Sequence, residues 1–266
     1  MDSSDYFFIL LAYMIAAMIK GVTGLGFNTS CLPIMALHLD LKLAIPLAII
    51  PSIVSNVVIM FQAGAFLKVL RRFWVLYAAA IPSLLLGLSV LVRVNVDLAK
   101  TFLGLVLILY ALTALLKKPF TVSKIMEQAL KLPVGLLTGF INGLTGSQVM
   151  PVLPYLLSLN LDKNTFIQAI NISFTLSSLI MLFRMNQLGY LSGHALLIAL
   201  GSAIPVTAIV FIGGKLRNRL SQSFYRTLVL FFLLVLGVTL TVKSLSLIHI
   251  SEPTRPILVS RMPSSA

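Results

Sequence analysis

The stretch Leu132–Leu161 contains no charged side chain. As one straight helix it would run ~45 Å, against ~30 Å for the hydrocarbon core of a bilayer. Other uncharged runs are Leu43–Leu67, Phe73–Val92, Thr101–Leu116, Asn164–Phe183 and Thr227–Val242, and Gly189–Gly214 holds only His194. Charged residues make up 10% of the chain and apolar residues 59%, whereas about a quarter of a soluble domain is charged. A water-soluble fold of this size could not cover that much apolar surface. Lipid as solvent removes the difficulty, so the expected fold is an all-α polytopic membrane protein with no soluble domain.

The formal net charge is +13. In a soluble protein that would point first to nucleic acid. Here the basic residues lie mostly between apolar runs, where they set orientation in the bilayer. No nucleic-acid partner is therefore expected, and attraction of an anionic solute is the lesser reading. Cys31 is the single cysteine, so no internal disulfide forms, and no Cys/His cluster suggests a metal or another cofactor. Asp2 and Asp5 flank the first apolar run without a basic segment, so no cleavable signal peptide is expected.

The chain repeats itself. Gly21-Val22-Thr23-Gly24 recurs as Gly143-Leu144-Thr145-Gly146, an offset of 122 residues. Leu32-Pro33 recurs as Leu153-Pro154, and Leu37-His38-Leu39-Asp40 as Leu159-Asn160-Leu161-Asp162. Ser55 then matches Ser177, Phe61 matches Phe183, and Ile81-Pro82 matches Ile204-Pro205. An ordered series at nearly constant offset indicates internal duplication. The expected units are a first transmembrane repeat at 6–116, a connecting loop at 117–129 and a second repeat at 130–244. Residues 245–266, with Ser251-Glu252-Pro253-Thr254-Arg255-Pro256, match neither repeat. They read like a translated sequencing adaptor or a disordered tail, expected to pack on nothing.

Each repeat opens on a segment rich in glycine and proline, expected to form two short helical pieces joined by an unwound link. Three further transmembrane helices complete each half. If the opening segment makes a hairpin, with the N-terminus outside, basic residues at Lys68–Arg72, Lys117–Lys131, Lys163 and Lys215–Arg226 fall inside. Lys42, Arg93, Lys100, Arg184 and Lys243 fall outside, a split of twelve to five with Lys20 at the break uncounted. That satisfies the positive-inside tendency, and an odd number of crossings per half makes the repeats inverted, a transporter design.

No catalytic set stands out: there is no H-E-x-x-H, G-x-S-x-G or Walker A pattern, and the chain is not expected to be an enzyme. No acidic residue lies deep in an apolar run, which disfavours a carboxylate relay or cation path. What does lie there is small, polar and cationic. The candidate substrate-binding residues are Lys20, Gly21, Thr23, Gly24, Gly26, Asn28 and Thr29 at the first break. Asn142, Gly143, Thr145, Gly146, Ser147 and Gln148 form the second break, with Asn56, Ser177 and Ser178 on later helices. Ser55, Asn171 and Ser173 are neighbouring polar positions. Unwound glycine-rich backbone exposes N–H groups, and a half-helix directs its positive end at the break, which suits a small oxyanion. The alternative is that the glycines permit close helix packing and the polar side chains bond to backbone.

With Lys20-Gly21-Val22-Thr23-Gly24-Leu25-Gly26, then Leu32-Pro33, and a second copy from Gly139 to Pro154, the chain resembles the TauE/SafE family of membrane transporters. The resemblance covers Tyr6–Ser244. It departs where members often continue with glycines, since Phe27-Asn28-Thr29 and Gln148-Val149-Met150 stand there. The resemblance implies a secondary transporter in a bacterial cytoplasmic membrane, exporting a small anion such as sulfite or an organosulfonate. An anion channel, and behind it a membrane-embedded enzyme or assembly factor, are the competing readings.

Overall fold

A computed structural model describes residues 3–116, 122–216 and 222–251. Its described residues form ten α-helices and no strand. They are α1 (Ser3–Thr23), α2 (Phe27–Ala36), α3 (Leu41–Ala63), α4 (Phe66–Arg93), α5 (Val96–Leu116), α6 (Lys124–Thr145), α7 (Val152–Ser158), α8 (Lys163–Gln187), α9 (Gly193–Leu216) and α10 (Gln222–Ser251). Six of them, α1, α3, α4, α5, α8 and α9, are long and apolar enough to cross a membrane. Helix α10 contains a shorter apolar stretch at Leu230–Leu245. In α6 the charges are gathered near its start, at Lys124, Glu127 and Lys131. The chain is an integral membrane protein.

The opening segments differ from expectation in one respect. Only their second pieces are short: α1 has 21 residues and α6 has 22, while α2 has 10 and α7 has 7. The glycines of α6 do not break it, because they serve contact instead. A Cβ on Gly135, Gly139 or Gly143 would collide with the α4 backbone at Leu76, Ala80 or Leu84. Gly21 stands in the same relation to α9, where a Cβ would lie 2.9 Å from the Gly213 Cα. In lipid, where apolar surface gives helices no reason to associate, small residues let backbones approach and dispersion contacts accumulate.

Packing exchanges elements between the halves. Helix α1 lies on α9, and α6 lies on α4; α3 pairs with α8, and α5 with α10. The remaining large contacts between the halves are α3 on α9 and α4 on α8, and within the first half α1 lies on α2. Asp40 caps α3 by accepting from Lys42 N at 2.8 Å, and Asp162 caps α8 by accepting from Thr165 N at 3.0 Å. Both pieces of each opening segment return to the level where they began. Phe8 of α1 stacks on His38 beyond α2, with ring centroids 3.4 Å apart. Beside α6, Val122 N donates to Ser158 O of α7 at 3.0 Å.

Helix α4 serves as a ruler for these two hairpins. Near its start, Arg72 binds Glu127 of α6. Near its end, Val92 O accepts from Lys42 Nζ at 3.0 Å, next to the close of α2. About 30 Å of helix separates these levels, so one hairpin opens at one end of the bundle and the other at the opposite end. The expected change of character at Leu245 falls within α10, which continues to Ser251. Residues 252–266, and the basic residues Lys117, Lys118, Arg217 and Arg219, lie outside the described residues.

Candidate functional site

At the end of α1, the Thr23 hydroxyl lies 2.7 Å from Ile19 O and 2.8 Å from Leu25 O, and accepts from Leu25 N at 3.1 Å. It thereby closes the last turn of the helix. The chain then turns through Gly24 and Gly26, with φ of 78° and 84°, a left-handed conformation that a Cβ disfavours. Gly26 opens α2, and no side chain caps that helix start. The leading N–H groups of α2 are thus free of side-chain acceptors at the break. Gly24 is buried, yet no heavy atom lies within 4 Å of where its Cβ would stand.

The second break is built alike. The Thr145 hydroxyl donates to Ile141 O at 2.7 Å and accepts from Ser147 N at 3.1 Å. Gly146 ends α6 with φ of 71°. Its surroundings are tighter, since a Cβ there would stand 2.6 Å from Leu32 Cδ1 of α2 and 3.0 Å from Ile45 Cγ1 of α3. Each threonine is therefore occupied in shaping its break.

Lys20, one turn before the first break, is 0% exposed. Its Nζ donates to Asn56 Oδ1 on α3 and, at 3.2 Å, to Asn171 Oδ1 on α8. Asn171 is held in turn by donating from Nδ2 to Ile167 O at 2.8 Å. No carboxylate of the described residues pairs with Lys20; Glu127 pairs instead with Arg72 and Lys131. Neutral amide oxygens solvate the ammonium but leave its charge uncompensated.

At the second break, Gln148 Nε2 donates to Ser178 Oγ at 2.7 Å and lies 3.3 Å from Phe174 O, both on α8. Asn171 and Ser178 share a face of α8 and lie two turns apart, ~10 Å along the axis. The candidate residues therefore form two polar stations staggered along that face.

Several buried polar atoms have no partner: Asn28 Oδ1, Ser30 Oγ, Asn56 Nδ2, Ser147 Oγ and both side-chain termini of Asn142. A buried polar group left unbonded costs about 1–3 kcal/mol. Thr138 Oγ1 on α6 and Thr175 Oγ1 on α8 are also without a partner, but six of these eight atoms stand on the breaks or beside Lys20, as in a site awaiting a polar ligand.

The other candidates are placed differently. Gly21 and Gly143 face α9 and α4 and allow those helices to pack. Thr29 is buried in α2. Ser177, with Ser173 and Tyr77, lines a small cavity between α4 and α8, off the Asn171–Ser178 face. Ser55 bonds to Ser52 O at 2.8 Å. Ser30 was not among the sequence candidates; its position one turn into α2 from Gly26 was the available signal. Asn171, one of the neighbouring polar positions and matched in the first half by Ile49, is the partner of Lys20 on α8.

A bundle of membrane-spanning helices, interrupted twice beside buried polar groups and an unpaired lysine, defines the class: a polytopic membrane protein of transporter type. The chain belongs to the TauE/SafE sulfite exporter family, since the family model described as "Sulfite exporter TauE/SafE" matches residues 9–240. No curated protein and no solved structure matches it.

Proposed function

We propose that this chain is a secondary transporter that exports a small oxyanion, sulfite or an organosulfonate, by alternating access around the two breaks. The observation that carries this reading is Lys20, fully buried, bound by two asparagine oxygens and paired with no acid among the described residues. Burying an unpaired cation costs several kcal/mol, and an arriving anion would offset that cost. The free Asn56 Nδ2 beside it, and the Ser147 hydroxyl and Asn142 amide at the other break, are donors suited to sulfonate oxygens. The anion class comes from family membership.

The two hairpins opening at opposite ends support inverted repeats, with one break approached from each side. Alternating access would then expose Lys20 and the Gln148–Ser178 station in turn.

The test is flux in proteoliposomes of the purified full chain. Saturable sulfite flux, accelerated by unlabelled sulfite on the far side, is the expected result. Flux that rises without saturation and shows no counterflow would replace the carrier with a channel. Absence of flux or binding for sulfite, methanesulfonate and sulfoacetate would remove the anion reading altogether.

A further inference from the structure

The charge held at the two breaks limits the valence of what they take. The repeat places Asn142 where the first half has Lys20, at the same offset of 122 residues. The second break thus has a neutral amide in place of an ammonium. The side chains that accept hydrogen bonds from Lys20 are those of Asn56 and Asn171, also neutral. Gln148, Ser178, Ser147, Ser30 and Asn28 add donors and acceptors without charge. The titratable groups near this part of α1 and α2 are Cys31 and Tyr13, a buried thiol and a phenol that donates to Leu47 O at 2.8 Å. The Glu127 cluster with Arg72 and Lys131 keeps a net charge of one positive, but it lies near the start of α6, at the opposite end of that helix from the break at Gly146.

The backbone does not add a second full charge. A helix start carries roughly half a positive elementary charge and a helix end the opposite. At the first break the end of α1 faces the start of α2, so these contributions oppose one another. With Lys20 protonated, the side chains named at the two breaks carry a single positive charge.

We infer that the site accepts singly charged oxyanions and discriminates against doubly charged ones. This inference rests on the transporter reading above. A monoanion beside Lys20 leaves the buried region neutral. A dianion leaves one negative charge without compensation in a medium of low dielectric, where an isolated charge is strongly disfavoured. Bisulfite and alkyl sulfonates are then the bound species, whereas sulfate and the sulfite dianion are poor ligands. Selection acts through charge, because a sulfonate and a sulfate present the same three-oxygen face to the donors.

The experiment is competition binding to the purified, reconstituted full chain with methanesulfonate, sulfate and sulfite across the pH interval in which bisulfite gives way to sulfite. Sulfate is expected to bind at least about tenfold more weakly than methanesulfonate at every pH. The affinity for total sulfite, divided by that for methanesulfonate, is expected to fall about tenfold per pH unit once the dianion predominates, following the bisulfite fraction. The division removes any titration of the protein itself. Sulfate competing as well as methanesulfonate, or a ratio that stays flat with pH, overturns the valence rule and leaves an anion site standing. Binding of none of these anions overturns the transporter reading instead. Asn142→Lys adds a control of opposite sign: a second buried cation at the matched position should raise the sulfate-to-methanesulfonate affinity ratio, and an unchanged ratio in a binding-competent variant counts against the charge ledger.

Discussion

Lys20 and Lys42 carry the same ammonium in different settings. Lys42, partly buried at the start of α3, donates to Val92 O at 3.0 Å near the end of the bundle, where water competes. Lys20 is enclosed, and a charge-assisted contact made there is worth about 1.5–3 kcal/mol. Lys20→Gln should therefore weaken anion binding about tenfold to a hundredfold, while Lys42→Gln changes it much less. Isothermal titration of the two variants compares them directly, and equal affinities would move the site away from Lys20. Thr23 and Thr145 receive a different forecast than the motif alone suggests. Their hydroxyls close helix ends, so Thr145→Ala should lower stability by about 1 kcal/mol and affect binding only through that. A thermal melt in detergent alongside a binding curve separates the two effects. The sequence marked both threonines through the recurring Gly-x-Thr-Gly motif, and Lys20 as the one charge beside the first copy. Whether a hydroxyl faces ligand or backbone depends on the local turn, which the motif does not specify.

Among elements, the breaks and the hairpins were the most legible from sequence, because glycine and proline act locally. The length of α1 and α6 was misjudged for a physical reason. Gly135, Gly139 and Gly143 look like helix breakers in isolation, but each meets an α4 backbone segment, and packing outweighs propensity. The breaks themselves occur where φ turns positive, at Gly24, Gly26 and Gly146. Gly146→Leu should abolish transport, since the residue is left-handed and its Cβ would meet Leu32 and Ile45. The protein should still insert in the membrane, as a fluorescence-detected size-exclusion profile would report; wild-type flux from that variant would show that the second break is not a working part. The Arg72–Glu127 pair was not foreseen, because its partners lie on α4 and α6. Both its bonds are 2.9 Å, and Tyr155 of α7 donates to Glu127 O at 2.9 Å, so the pair ties the base of α4 to the second hairpin. Arg72→Met leaves Glu127 short of its main partner. It should destabilise the protein by roughly 1–3 kcal/mol, less than a fully buried pair because Arg72 is partly exposed. Adding Glu127→Met should restore much of the loss, and the double-mutant cycle measures the coupling.

For the whole molecule, the outstanding proposition is orientation. The contacts within the bundle order its two ends without reference to a membrane. One end holds Arg72, Glu127 and Ser158; the other holds Tyr6, His38, Lys42 and His194. Helix α9 runs between them, because Tyr6 OH lies 2.6 Å from His194 Nε2 near its start, while Gly21 meets Gly213 near its finish. Lys68 on α4 and Lys215 on α9 therefore belong to one end, and Arg93 and Ser192 to the other. In sequence, Lys117, Lys118, Arg217 and Arg219 adjoin the basic residues of the first end, so the positive-inside tendency predicts that this end is cytoplasmic. The native cysteine does not interfere with a labelling test, since Cys31 is 0% exposed. Single cysteines at Arg93 and Ser192 should react with an impermeant maleimide on intact cells, while those at Lys68 and Lys215 should react only after permeabilisation. Reversal of all four would turn the molecule over and leave its architecture intact. Labelling of Lys68→Cys and Lys215→Cys from opposite sides would separate the ends that the contacts join, and inverted repeats could not survive that result.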